Sequence, residues 1–320
     1  MDDLIQVSGL KKYYPITSGV LKRVTGHYKA VDDVSFSIGY GQTFGLVGES
    51  GCGKTTVGKS ILRLIEPTDG QILLEGKDLR AMNSAQLRSA RKDMQIIFQD
   101  PYSSLNPRMT VMELISEPMK LHNLASGSEL QDRVCNLLET VGLSRIEMKK
   151  YPHEFSGGQR QRIMIARALS VQPKIIVCDE PVSALDVSIQ AQILNLMKEL
   201  QQNLGIAYLF IAHGMPVVKH ISHQVGVMYL GKLVEVADSE SIFSNCLHPY
   251  TQALMSAVPI PDPDVKRKTM IIKGEVPNLA EKQEGCLFAG RCSRCTARCR
   301  EEAPILREVE SGHQVACHCV

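Results

Sequence analysis

The stretch Gly48-Glu49-Ser50-Gly51-Cys52-Gly53-Lys54-Thr55 constrains this chain more than any other. It has the G-x-x-x-x-G-K-[S/T] spacing of a phosphate-binding loop. Its setting agrees. The apolar run Phe44 to Val47 precedes it as a buried strand, and a helical stretch follows with Val57, Ile61, Leu64 and Ile65 on one face and Pro67 just beyond. Glycine at 48, 51 and 53 lets the backbone curl so that its N–H groups point at phosphate oxygens. The dipole of the following helix adds partial positive charge at the same place. Lys54 then reaches the β- and γ-phosphates and the Thr55 hydroxyl ligates Mg²⁺, with Ser50, Cys52 and Thr56 completing the loop. The reading is a nucleoside triphosphate site.

A second segment supplies carboxylates. Ile175-Ile176-Val177-Cys178-Asp179-Glu180 is an apolar run of the kind buried on both faces of a parallel sheet, ending in two acids. Asp179 is placed to hold Mg²⁺ directly or through water. Glu180 points the other way, because strand side chains alternate, and so can orient or deprotonate an attacking water. Upstream, Ser156-Gly157-Gly158-Gln159-Arg160 opens a helical stretch that runs to Leu169. Ser156 is a good N-cap, and the two glycines allow a phosphate to come close.

At this point the chain resembles the ATP-binding cassette ATPases of ABC transporters, over about residues 4–250. The resemblance implies an α/β P-loop nucleotide-binding domain: a RecA-like core, an antiparallel β subdomain, and an inserted helical subdomain at about 100–165. It also implies roles for single residues. Phe98-Gln99-Asp100 is similar to the Q-loop, whose Gln99 reaches Mg²⁺ and the water. Ser183-Ala184-Leu185-Asp186 is similar to the D-loop that crosses a dimer interface. His213, after the apolar strand Ala207 to Ala212, is similar to the switch histidine on the γ-phosphate. Tyr14 aligns with the aromatic that stacks on adenine, with Tyr13 and Tyr28 as rivals. Gly214 departs from the Asp usual after that histidine. In this family each ATP lies between the phosphate loop of one cassette and the Ser156-type segment of another, so a chain with one of each needs a partner.

Tyr151 to Arg162, Glu180 to Gln192, Asp100 to Arg108 and His248 to Leu254 resemble the oligopeptide/dipeptide importers, and more narrowly the F-type ATPase of a D/F pair. The resemblance implies a D-type ATPase as heterodimer partner, two transmembrane permeases, an extracytoplasmic substrate-binding protein, and a place on the cytoplasmic face of the membrane. Nickel and oligosaccharide importers share much of the pattern, and a soluble non-transport ABC ATPase is the more distant alternative.

Composition narrows the remaining classes. A formal net charge of +2 gives no sign of nucleic-acid binding. No apolar run reaches the ~18 residues of a membrane span, and the first residues do not read as a signal peptide. The chain is therefore expected in the cytosol. Residues 15–28 read as a long loop between the first two strands, and residues 257–285 as a linker. The expected division is an ATP-binding domain at 1–250 and an extension at 251–320.

The tail carries a second signal. Six of the ten cysteines lie between Cys286 and Cys319, as Cys286-x5-Cys292-x2-Cys295-x3-Cys299 and Cys317-x-Cys319. Disulfides do not persist in a reducing cytosol, so such a cluster points to zinc or iron–sulfur. The resemblance implies a [4Fe–4S] cluster on Cys286, Cys292, Cys299 and Cys317, with Zn²⁺ or free thiols as the alternatives. Cys295 and Cys319 are extra, and Cys292, Cys295 and Cys299 by themselves offer three ligands.

Overall fold

The computed structural model describes residues 3–19, 23–258, 274 and 284–320. It divides into two compact units. One is built from residues 81–211 with 1–4 and 38–43, the other from 5–37, 44–80 and 212–320.

The first unit holds three parallel strands, Met94–Ile97, Ile175–Asp179 and Ala207–Ala212. Their register sets Ile97 opposite Cys178, and Asp179 opposite Ile211. Every residue of the latter two strands is buried, which explains their unbroken apolar sequences. Helices pack beside them. Val111–Leu121 starts at a capping box: Glu113 N–H donates to Thr110 Oγ1 at 3.3 Å and Thr110 N–H to Glu113 Oε2 at 2.7 Å. Its buried side chains Val111, Leu114, Ile115 and Met119 recur at helical spacing. Gly127–Thr140 buries Leu130, Val134 and Leu138 in the same way. Gly157–Leu169 and Val187–Leu204 follow; the latter stops where Gly205 turns to φ 67°.

The second unit contains the phosphate-loop strand Thr43–Val47, fully buried and parallel to Gln224–Tyr229. Gln224–Tyr229 pairs antiparallel with Lys232–Asp238, which pairs in turn with His313–Val315 of the tail, and that with Arg307–Glu310. A separate four-stranded sheet has the order Arg23–Gly39, Asp3–Ser18, Asp69–Leu74, Lys77–Asp78.

Two expectations are corrected here. Residues 15–28 are not a loop: the strands Asp3–Ser18 and Arg23–Gly39 run through most of that span. The helix after the phosphate loop covers only Lys54–Ile61. Arg63 turns to φ 47°, the N–H groups of Arg63 and Leu64 reach back to Ser60 and Lys59, and Leu64 is exposed rather than on a buried face. The linker expected at 257–285 lies almost wholly outside the described residues.

Candidate functional site

In the second unit the phosphate loop is wound as its glycines predict. Gly48, Gly51 and Gly53 have φ of 154°, 77° and 107°. A Cβ at Gly48 would lie 2.1 Å from the carbonyl oxygen of Met228, and one at Gly53 2.1 Å from that of Ala30, so neither position admits a side chain. Ser50 and Gly51 are exposed at the loop's tip, Cys52 is buried beneath it, and Thr55 and Thr56 are half-buried in the helix's first turn. Burial pushes the Cys52 thiol up, against the pull of Lys54. This thiol is a packing group.

Lys54 is only 4% exposed. Its Nζ donates to the carbonyls of Gly48 at 2.8 Å and Glu49 at 3.0 Å, and lies 3.3 Å from His213 Nδ1. An ammonium has donors only, so Nδ1 is the acceptor in that pair and the imidazole carries its proton on Nε2. His213 follows the strand Ala207–Ala212 directly, and Gly214 caps the helix Met215–Ile221.

Tyr14 is 37% exposed, with Lys12 Nζ 4.9 Å from its ring centroid. Tyr13 is committed elsewhere: its hydroxyl donates to Asp32 and its ring lies under Lys29.

In the first unit Asp179 and Glu180 are 5% and 6% exposed at the end of their strand. Glu180 has φ 50°, a left-handed conformation that is strained for a residue other than glycine. Its N–H donates to Ile211 O at 3.0 Å, and its carbonyl accepts the Ser183 hydroxyl at 3.0 Å. These bonds hold the turn, and the carboxylate then meets Gln99, whose Nε2 donates to Glu180 Oε2 at 2.7 Å. Gln99 itself is exposed.

Ser156 caps Gly157–Leu169 in a second capping box: Gln159 N–H reaches Ser156 Oγ at 3.4 Å and Ser156 N–H reaches Gln159 Oε1 at 3.0 Å. A Cβ on Gly158 would lie 2.6 Å from Ile189 Cγ2, and one on Gly157 3.3 Å from Leu185 Cδ2. These glycines therefore also let the helix approach the D-loop segment and the helix Val187–Leu204 that Asp186 caps.

The sequence reading missed what surrounds Glu49. Its N–H donates to the Tyr250 hydroxyl at 2.8 Å, and its carboxylate takes both Nη groups of Arg291 at 2.9 and 3.1 Å. Tyr229, Tyr250 and Phe288 pack ring against ring beside this pair. No local pattern joins positions so far apart in the chain.

The tail cysteines divide into two kinds. Cys292 and Cys317 accept N–H groups from Arg294 and Cys319, two residues on, at 3.3 and 3.4 Å. Burial pushes the Cys286 thiol up to about 11, against an N–H from Phe288 that it accepts in the same way. Cys299 Sγ lies 3.2 Å from Thr296 Oγ1. Cys295 and Cys319 instead donate, to the carbonyls of Thr296 and Arg294. Among the described residues no group of three or more His, Cys, Asp or Glu side chains is placed to hold a metal ion. The tail is thus not a ready-made single-ion site.

The comparisons with known proteins agree with this geometry. The profile of the ABC transporter family matches residues 31–183, and that of the oligopeptide/dipeptide transporter C-terminal region matches 234–299. The oligopeptide transport ATP-binding protein AppF of Bacillus subtilis is 50% identical, with 99% of this chain and 97% of that protein covered. The chain belongs to the ABC transporter ATP-binding proteins. The probable peptide ABC transporter ATP-binding protein y4tS of Sinorhizobium fredii is 48% identical over 99% of this chain and 90% of its own. Among solved structures, the dimeric ATP-binding cassette MJ0796 bound to ADP and Pi matches with TM-score 0.65 at 26% identity, covering 73% of this chain and 98% of that one. CbiO1 from Clostridium perfringens, part of a CbiONQ transporter complex, matches with TM-score 0.65 at 26% identity over 77% and 92%. No helix among the described residues is long and apolar enough to cross a membrane.

Proposed function

We propose that this chain is the ATP-hydrolysing subunit of a peptide importer, working on the cytoplasmic face of the membrane. The observation that carries the chemistry is the Gln99–Glu180 hydrogen bond at 2.7 Å. It fixes a nearly buried carboxylate at a strained strand end, where a base for water is wanted. Glu180 orients the water and takes its proton. Lys54 draws charge from the β- and γ-phosphates, and His213 donates Nε2–H to the γ-phosphate. Thr55, Asp179 and Gln99 would hold Mg²⁺, which supplies further charge neutralisation as the γ-phosphoryl leaves. Tyr14 offers the exposed ring for adenine. The backbone N–H groups of Gly48 to Thr56 cradle the phosphates.

One phosphate loop and one Ser156-Gly157-Gly158-Gln159 segment per chain call for a second cassette. The Ser156 segment and the D-loop Asp186 then serve the partner's nucleotide. The partner is a D-type ATPase, and the pair drives two permeases fed by an extracytoplasmic binding protein. Residues 1–250 form the ATP-binding domain and 251–320 the extension. Names such as that of AppF support peptides as cargo. The test is ATP hydrolysis by the assembled transporter in vesicles. Stimulation by a peptide-loaded binding protein is expected; stimulation by nickel or an oligosaccharide in its place would overturn the cargo reading.

In the tail, Cys286, Cys292, Cys299 and Cys317 would hold a [4Fe–4S] cluster. The sulfurs of Cys286, Cys292 and Cys317 accept backbone N–H groups and Cys299 Sγ lies beside Thr296 Oγ1, whereas Cys295 and Cys319 donate to carbonyls. Tetrahedral zinc needs sulfurs roughly 3.8 Å apart. A four-iron cluster binds each thiolate to a different iron and suits a looser set. Protein purified without oxygen should be brown with about four irons per chain. Cys295→Ser should keep the iron and Cys286→Ser should lose it.

A further inference from the structure

The tail does more than sit beside the nucleotide site. Arg291 is the residue before Cys292 and ends the short helix Ala289–Arg291. Its guanidinium pairs with Glu49, the second residue of the phosphate loop, in a two-pronged fork at 2.9 and 3.1 Å. The Arg291 side chain is 9% exposed and Glu49 28%. Nη1 also lies 3.3 Å from the Tyr229 hydroxyl. Phe288, three residues earlier, packs against Tyr229, Tyr250 and His248 and seats this helix.

Glu49 is thereby held at two points, its carboxylate by Arg291 and its N–H by Tyr250. Its carbonyl is in turn one of the acceptors of Lys54 Nζ. A continuous set of hydrogen bonds therefore runs from the cysteine-rich tail through Glu49 to the phosphate-binding lysine. The charge at stake has a clear sign. A carboxylate on a loop that receives a polyphosphate opposes the ligand unless it is neutralised and tied back.

We propose that Arg291 is a positioning residue for the nucleotide: it neutralises the Glu49 carboxylate and ties it back from the ligand, so that the tail sets ATP affinity. The proposal rests on the phosphate-loop reading of residues 48–55. A fork rather than a point charge suits the task, because it fixes orientation as well as charge.

The test is calorimetric titration of ATP and ADP into the full-length protein. Arg291→Gln should weaken ATP roughly tenfold, since a partly exposed charge loses its partner, and weaken the less anionic ADP less. Adding Glu49→Gln to Arg291→Gln should restore most of the affinity, because the unbalanced charge is gone. Should Arg291→Gln not fold, Glu49→Gln alone decides: it leaves Arg291 as free positive charge, so ATP should bind at least as tightly as in the unaltered protein. Three results would each overturn the proposal: unchanged ATP affinity in folded Arg291→Gln, a loss that Glu49→Gln does not restore, or weaker ATP binding by Glu49→Gln alone. Lys54→Ala separates the two levels. If it binds ATP normally, the phosphate-loop reading itself fails, whatever Arg291 does.

Discussion

His313 Nε2 lies 2.8 Å from the carboxylate of Glu235, with the two side chains 3% and 0% exposed. The same carboxylate accepts the N–H groups of Leu247 at 2.6 Å and His248 at 3.1 Å. One buried acid thus ties the tail strand, its core neighbour and the start of the helix Pro249–Ser256. Glu235→Ala should cost about 3–5 kcal/mol, because three donors lose their acceptor out of reach of water. Glu235→Gln keeps an acceptor and should cost less. Thermal unfolding of the two variants checks the order.

Glu180→Gln should retain ATP and slow hydrolysis about 10²–10⁴-fold, the usual range for loss of a general base. An amide accepts no proton from water. Phosphate release in single turnover, beside ATP retention on a filter, measures both. Normal turnover at the altered site would show that Glu180 is not the base.

Gly53→Ala should abolish nucleotide binding and destabilise the protein. Its φ of 107° is strained for alanine, and the new methyl would meet the backbone oxygen of Ala30, which cannot swing aside. Gly51→Ala also faces a positive φ but has open space around its Cβ, so it should be the milder variant. Nucleotide titration and melting temperature distinguish them.

His248 supplies a pH dependence. It caps Pro249–Ser256 by accepting the Tyr250 N–H on Nδ1 at 3.1 Å, and burial pushes its pKa from 6.5 down to about 4. Between those values the unfolded chain binds the proton and the folded chain does not. Stability should therefore fall as pH drops through this window, by about 3 kcal/mol at most, and be flat above 6.5 as far as this group is concerned. His248→Asn keeps a side-chain acceptor for the cap and should flatten the slope in denaturant titrations run from pH 7 to 4.

Features encoded locally were legible in the sequence. The phosphate loop's octet carries its own glycine requirements, and Ile175 to Glu180 announces a buried strand by its apolar run. The strand pair Asp3–Ser18/Arg23–Gly39 was not legible. Its outer half is largely exposed, so Gly19, Lys22, Arg23 and Gly26 suggested a loop where no buried face existed to impose alternation. The Lys54–His213 and Arg291–Glu49 contacts join positions 159 and 242 residues apart. Only the fold brings such pairs together. The tail's thiol count was visible, but which sulfurs accept and which donate depends on backbone turns that composition does not reveal.

The pairing of His313–Val315 with Lys232–Asp238 has a consequence for solubility. Five of the seven residues in Lys232–Asp238 are buried. Stripped of the tail strand, they would present a row of unpaired backbone donors and acceptors on an apolar ribbon, a template for pairing with another molecule. The edge strand, Arg307–Glu310, reads Arg-Glu-Val-Glu and is mostly exposed. It closes the sheet with charge, which other chains do not readily join. The C-terminal segment is thus also a guard against edge-to-edge pairing, and a chain cut short of it should self-associate more readily than the full chain in light-scattering measurements.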